Sequence, residues 1–517
     1  MPRSPSIRKI DADEVNVGMG MVDEVVAVEG ELLVDKFDDN EELGNIRLAL
    51  PEDFERLQIK NDDSLRMEDI EDAEEFLGTS ISTGFMNEKK KQKKRRKRKQ
   101  KHLEQKENEE PEYNTFVPGR DEITDDMELD YDPAMYDSFF DIKTPWPSLT
   151  LDVIPDSFGA ERTELPVSML LASGSQSQCM DDNFLYVLRC DNVNKTRIGW
   201  EENDVEDEED ISLTLATFNH KGFVNRVRVN PVMNCIIATQ AEYSSKKGSV
   251  SIFNVDKQLE LLYAEKKPKD ADDCLIHTEK ARPGYGLCWS PFGDYLLSGH
   301  VDGSVFKHEL INDSFECTAE FKSHTDSVED ITHHPSSSFF ATVGVDRSIH
   351  IWNAESEEPI AVREEAHDTD INVADWNAIQ PNIIATGADD GTIKVWNLED
   401  MAEPMHEVNW HNSPITSVQW APFNETMLIA SSEDHSISIW DFSMDETEED
   451  GVPNRLMFIH AGQKEIKEVR WHPQCPGFFI STSGTGYHIA KPMTLMLSSE
   501  EIEEMQEGME SIEEQDE

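Results

Sequence analysis

Cysteine is scarce in this chain: seven stand among 517 residues, and no two form a C-x-x-C pair. An odd number without paired spacing argues against a disulfide framework and a cysteine zinc site, and it favours a reducing, intracellular setting. Long apolar runs are missing, and nothing approaches the roughly 18 to 20 consecutive apolar residues of a membrane span. The opening MPRSPSIRKIDADE lacks the apolar core of a secretion signal, so export is not expected. Positive charge is in deficit, with 47 Lys and Arg against 106 Asp and Glu, a formal net charge of −59. Such a chain is repelled by nucleic-acid phosphates and attracts basic partners. Hydrophobic residues make up only 37% of it, which predicts long solvated segments beside a packed core.

Catalytic signatures are absent too. There is no G-x-x-x-x-G-K-[ST] loop, no H-E-x-x-H and no G-x-S-x-G. Gly78 to Gly84 approaches a phosphate loop but has the wrong spacing and no lysine. The pair His333-His334 has nothing nearby to complete a metal site. The expectation is a protein that is not an enzyme and uses no cofactor or metal.

The length fits about three domains, or one large all-β domain with tails. Residues 1–112 read as a disordered acidic region, with 24 acidic against 8 basic residues up to Glu88. One run breaks the acidity: Lys89, Lys90, Lys91, Lys93, Lys94, Arg95, Arg96, Lys97, Arg98, Lys99 and Lys101 place 11 basic residues in 13. A block this dense has little use inside a packed fold and reads as a nuclear or nucleolar address, with RNA contact as an alternative. Residues 496–517 form an acidic C-terminal tail.

From Trp146 the composition changes to short runs rich in Val, Ile and Thr, bounded by Gly, Asp, Asn and Ser, which read as strands. The runs repeat. Trp352, Trp396 and Trp440 stand 44 residues apart, each six residues after an aspartate (Asp346, Asp390, Asp434). His324, His367 and His411 precede those tryptophans by 28 or 29 residues. A period of about 40 to 45 residues with this ending is the signature of four-stranded propeller blades, and the sequence here resembles the WD-repeat family. Weaker copies place His308 and Phe253 at the tryptophan position. A degenerate first copy runs from Leu165 to Cys190, and a last copy from His460 to Ala490. The expectation is an all-β, seven-bladed propeller over residues 146–495.

Stacking blades around an axis buries the sheet faces and leaves only short edges. The WD-repeat resemblance implies a buried hydrogen-bond relay in each blade; in the fifth it is His367, Thr386, Asp390 and Trp396. Such a set looks like a Ser-His-Asp triad, but a nucleophile would not recur blade after blade. Ser148–Ile154 alternates like a strand and is expected to close the ring as the outer strand of the seventh blade. That blade departs from the pattern, with Ala490 for the last tryptophan and Thr485-Gly486 for the aspartate turn.

Residues 113–145 are expected to carry a helix starting at Asp132-Pro133 and ending before Thr144, with Met135, Tyr136, Phe139 and Phe140 on one stripe. The bland reading of that stripe is a helix docked on the propeller; the sharper one leaves part of it open as a groove wall. Acidic insertions interrupt the blades at 201–210 and 445–453.

The segment 131–156, with Trp146-Pro-Ser-Leu-Thr, resembles the leading helix and first strand of the histone-binding WD-repeat proteins, as does the acidic Asp445–Pro453 insertion followed by Leu456-Met-Phe-Ile-His460. The glutamate-rich WD-repeat branch, which acts in ribosome assembly, is more similar still. The residues that carry this are Phe116–Arg120, Trp146–Pro155, Gly284–Pro291, Thr369–Trp376 and Gln463–Trp471. The resemblance implies a nucleolar chaperone that binds a newly made basic ribosomal protein, the universal third one of the large subunit, and delivers it to pre-ribosomal particles. By analogy with the histone-binding groove, Phe139 and Phe140 would form the groove floor, with Asp137, Asp445, Glu446, Glu448, Glu449 and Asp450 as charge partners. Histone binding in the same groove, or a WD-repeat adaptor scaffold using the propeller's top face, are the alternatives. A monomer without membrane contact is expected.

Overall fold

The computed structural model describes residues 131–495, with breaks at 145, 178, 181, 197–210, 265, 267–273, 312–313 and 450, together with a two-residue strand pair within 27–32. The basic run 89–101, the acidic insertion 201–210 and the C-terminal tail lie outside the described residues.

Seven four-stranded antiparallel sheets follow one another as propeller blades. Their innermost strands are Ser148–Ile154, Phe223–Val229, Leu287–Trp289, Val328–His333, Ile371–Trp376, Ile415–Trp420 and Glu468–Trp471. Each strand alternates side chains between the two faces of its sheet, so both faces must be covered by neighbouring blades. Trp352, Trp396 and Trp440 are wholly buried, and they head the apolar layers between the blades. One α-helix, Asp256–Tyr263, is present among the described residues and packs Leu259 and Leu262 into the apolar layer between the first and second blades. No described helix is long and apolar enough to cross a membrane.

Ring closure differs from the sequence expectation in two ways. Ser148–Ile154 is the innermost strand of the first blade, paired with Val167–Ser175, and is not the outer strand of the seventh. The first blade has no other inner strand, which fixes that assignment. The outer strand of the seventh blade is Tyr136–Lys143, paired with Gly486–Pro492. The helix expected after Asp132 is therefore a strand. Asp132 does cap, its side chain accepting from the Ala134 N–H at 2.9 Å, but only the single 3-10 turn Pro133–Met135 follows. Tyr, Phe, Phe and Ile favour a pleated surface, and a bare edge of the seventh blade offers one. A bulge at Asp137 turns Tyr136 and Phe139 toward the sixth blade, while Phe140 and Ile142 pack toward the first.

Candidate partner-binding site

The relays within the blades show which polar clusters are structural. In the fifth blade Trp396 Nε1 donates to Thr386 Oγ1 at 3.0 Å, and Thr386 lies 2.7 Å from His367 Nε2. His367 Nδ1 then reaches Asp390 through Thr392, at 3.0 Å and 2.6 Å. The four expected residues come together with Thr392 as a fifth member. Burial lowers the His367 pKa to about 3, so the ring is neutral at neutral pH. In the fourth and sixth blades histidine meets aspartate directly, His324 with Asp346 at 2.9 Å and His411 with Asp434 at 2.8 Å. These sets lie inside the sheets and recur, as a packing device does and a catalytic centre does not.

The seventh blade has its own chain. Tyr136 O–H donates to His460 Nδ1 at 2.6 Å, His460 Nε2 lies 3.0 Å from His488 Nδ1, and His488 Nε2 stands 3.5 Å from Asp141. Both ends of that chain belong to the N-terminal strand, so it fastens the closing strand to the blade.

Phe139 and Phe140 are not a groove floor. They are only 6% and 4% exposed, and the Tyr131 ring covers Phe139 with centroids 4.2 Å apart. Phe139 pairs across the sheet with Ala490, filling the volume that the missing tryptophan leaves. Asp137 is likewise committed: its carboxylate lies 3.3 Å from Lys491 Nζ and 3.6 Å from Lys195 Nζ. What this flank does expose is Met135; the following residue, Tyr136, packs its ring on Phe458 of the sixth blade's outer strand Leu456–His460 at 5.4 Å.

The acidic insertion of the sixth blade leads into that same outer strand. It folds as a small hairpin, Glu448–Glu449 against Val452–Pro453. Asp445 accepts hydrogen bonds from Thr447 and Asn454, which lower its pKa and hold the hairpin's base. Glu446 accepts from Arg455 at 2.9 Å and contacts His406 at 3.3 Å; those two groups lower its pKa. Glu448 is exposed. The side chain of Glu449 and all of Asp450 lie outside the described residues.

Sequence reading missed one charged cluster. A cavity of about 200 Å³ on the propeller axis is lined by Arg226, Arg228 and Arg470 with Asp152, Asp330, Asp375 and Glu468. The only sequence signal was charged residues within the innermost strands, where other positions carry Thr332, Ser417 and Gln419. Burial opposes the charge of Glu468, but Arg228, Arg470 and Arg226 overcome it and hold its pKa well below the usual carboxylate range. Glu468 also accepts from the Leu151 N–H at 2.9 Å, tying the seventh blade to the first. Burial pushes Asp375 up to about 7.

Comparison with known proteins agrees with this architecture. Residues 126–194 match the family of the histone-binding protein RBBP4 and its counterpart in the CAF1 complex. Residues 283–307, 315–353, 358–397 and 402–441 match the WD domain, G-beta repeat. The chain is 34% identical to "Ribosome assembly protein rrb1" of Schizosaccharomyces pombe, over 76% of this chain and 87% of that protein. It is 36% identical to "Glutamate-rich WD repeat-containing protein 1" of Dictyostelium discoideum, over 72% and 83% respectively. It is 30% identical to "Protein HEAT STRESS TOLERANT DWD 1" of Arabidopsis thaliana, over 73% and 91%.

Proposed function

The chain belongs to the glutamate-rich WD-repeat family of ribosome-assembly proteins, and we propose that it serves ribosome assembly as a non-catalytic acidic chaperone. Its cargo in this reading is a newly made basic protein of the large subunit, the universal third one, shielded and then delivered to pre-ribosomal particles in the nucleolus. The observation that carries the reading is the sixth-blade hairpin. It raises Glu446 and Glu448 into solvent and leads into the outer strand whose Phe458 packs on Tyr136, on a chain of net charge −59. Exposed carboxylates on a strongly acidic chain suit a basic segment. Competing rRNA phosphates would then draw the cargo away as salt and charge balance shift. The run 89–101 serves as the nuclear address.

The match of residues 126–194 to a histone-binding family favours a second reading, a histone chaperone using the same flank. Anisotropy titrations of the labelled ribosomal protein and of histone H3–H4, each across a salt series, separate the two. The first reading requires the tighter, Glu448-dependent binding to be that of the ribosomal protein. Tighter binding of histones, equally dependent on Glu448, replaces it with the second.

A further inference from the structure

The fourth blade carries a second histidine that the repeat does not call for. His350 faces Thr342 across the second and third strands; at the matching places the fifth blade has Lys394 facing Thr386, and the sixth has Ser438 facing Ala430. Lys394 turns out to donate to the Ala366 carbonyl, and Ser438 joins its relay. His350 does neither. It is 3% exposed, and its Nδ1 has no hydrogen-bond partner. Its ring stacks on His324 with centroids 3.8 Å apart and planes 18° from parallel. His324 in turn holds Asp346 at 2.9 Å.

We propose that His324, Asp346 and His350 form a binding site for a divalent transition-metal ion of the zinc type. One donor atom from each residue lies within 4.8 Å of the others. A tetrahedral zinc sphere has bonds of ~2.0–2.1 Å and takes each imidazole through its in-plane lone pair, so the His350 ring has to turn out of its stack on His324 to complete it. Two imidazoles and a carboxylate are a zinc donor set, and three protein ligands leave one position for solvent. The ion takes the place of the proton that His324 Nδ1 shares with Asp346. The imidazole then keeps its proton on Nε2 and donates to Thr342 Oγ1, already 2.7 Å away. Asp346 stands in the turn before the third strand, its side chain 9% exposed against 0% for His324. The sixth blade is the built-in control: it has the same histidine–aspartate pair, with Ser438 where the second imidazole would be.

The test is cobalt(II) titration of the purified, metal-stripped full-length chain, read by visible absorption, followed by displacement with zinc. Tetrahedral nitrogen-bound cobalt absorbs strongly, whereas cobalt held by solvated carboxylates does not, so the acidic segments stay silent. The expected result is one equivalent of tetrahedral cobalt, displaced by zinc. In His350→Ser, patterned on the sixth blade, affinity falls by about tenfold or more. His350→Lys, patterned on the fifth blade, repeats the measurement in a second background, and circular dichroism checks the fold of both. No tetrahedral band in the wild type overturns the proposal, as does a band of equal strength and affinity in either folded variant.

Discussion

Ala430 and Ser438 face each other across the second and third strands of the sixth blade, and Ser438 supplies the hydroxyl that Ala430 lacks. In the fourth and fifth blades the relay hydroxyl sits on the second strand, at Thr342 and Thr386. In the sixth, His411 Nε2 and Trp440 Nε1 both meet Ser438 Oγ, each at 2.7 Å. The relay is thus kept by moving its hydroxyl to the partner strand.

Ser438→Ala is therefore expected to leave a buried imidazole nitrogen and an indole N–H unpaired, a loss of about 1–3 kcal/mol. Adding Ala430→Thr to that variant restores the hydroxyl from the other strand and recovers much of the stability. Urea unfolding of the two variants against the wild type checks this. A double variant no more stable than Ser438→Ala would mean that the hydroxyl is interchangeable with nothing.

Phe139→Ala acts on the fold. It opens a cavity opposite Ala490 and should cost roughly 3–5 kcal/mol. Tyr136→Phe keeps the ring but removes the O–H that donates to His460, a loss of about 1–3 kcal/mol. Denaturant midpoints measure both. A stable Phe139→Ala protein with only its binding impaired would contradict the buried position of that side chain.

Much of the ring was legible in the sequence, because Trp352, Trp396 and Trp440 stand 44 residues apart and weaker copies flank them on both sides. The closing strand was not. Met135, Tyr136, Phe139 and Phe140 also fit a helical stripe, and Asp132-Pro133 is a sound helix start. The edge of the last blade, far away in sequence, decides the matter in favour of a strand. The axial cluster around Glu468 was invisible for a related reason: its members sit on five different blades and converge only when the ring closes. For the candidate site, the acidic insertion was visible as composition. Which of its carboxylates the chain's own Arg455, His406 and Asn454 occupy was not.

Acid should loosen the ring through Glu468 and the buried histidines. Glu468 has a lowered pKa in the folded chain, so its contribution is complete above the ordinary glutamate value and is lost as pH falls below it. His367, lowered to about 3, adds a loss that begins as pH drops below about 6.5, where the unfolded ring takes a proton that the folded one refuses. Glu468→Gln removes the central carboxylate from three guanidinium groups and is expected to cost about 3–5 kcal/mol at neutral pH. Its stability should then vary less with pH below about 4.5 than that of the wild type. Thermal melts across pH 3 to 8 follow both effects.

Asp375 has the opposite sign. Its pKa is pushed up to about 7, so the folded chain holds a proton there that the unfolded chain releases near 4. Stability from this group is complete below about 4 and declines as pH rises toward 7. Asp375→Asn keeps an oxygen to accept from the Trp420 N–H, now 2.8 Å away, and removes the titration. The variant should gain stability relative to the wild type at pH 8 and little at pH 4. An equal change at both pH values would show that Asp375 does not titrate in this range.

The central claim is that the acidic flank of the sixth blade holds a basic ribosomal protein. Its most direct test is affinity capture from cells with quantitative mass spectrometry, comparing the wild type with a Glu446→Lys, Glu448→Lys variant, both washed at stepped salt. The universal third protein of the large subunit is expected to dominate the wild-type capture and to fall several-fold in the variant, while the melting temperature of the propeller changes little. Capture of that protein undiminished in the variant, or its absence from the wild type, would contradict the account.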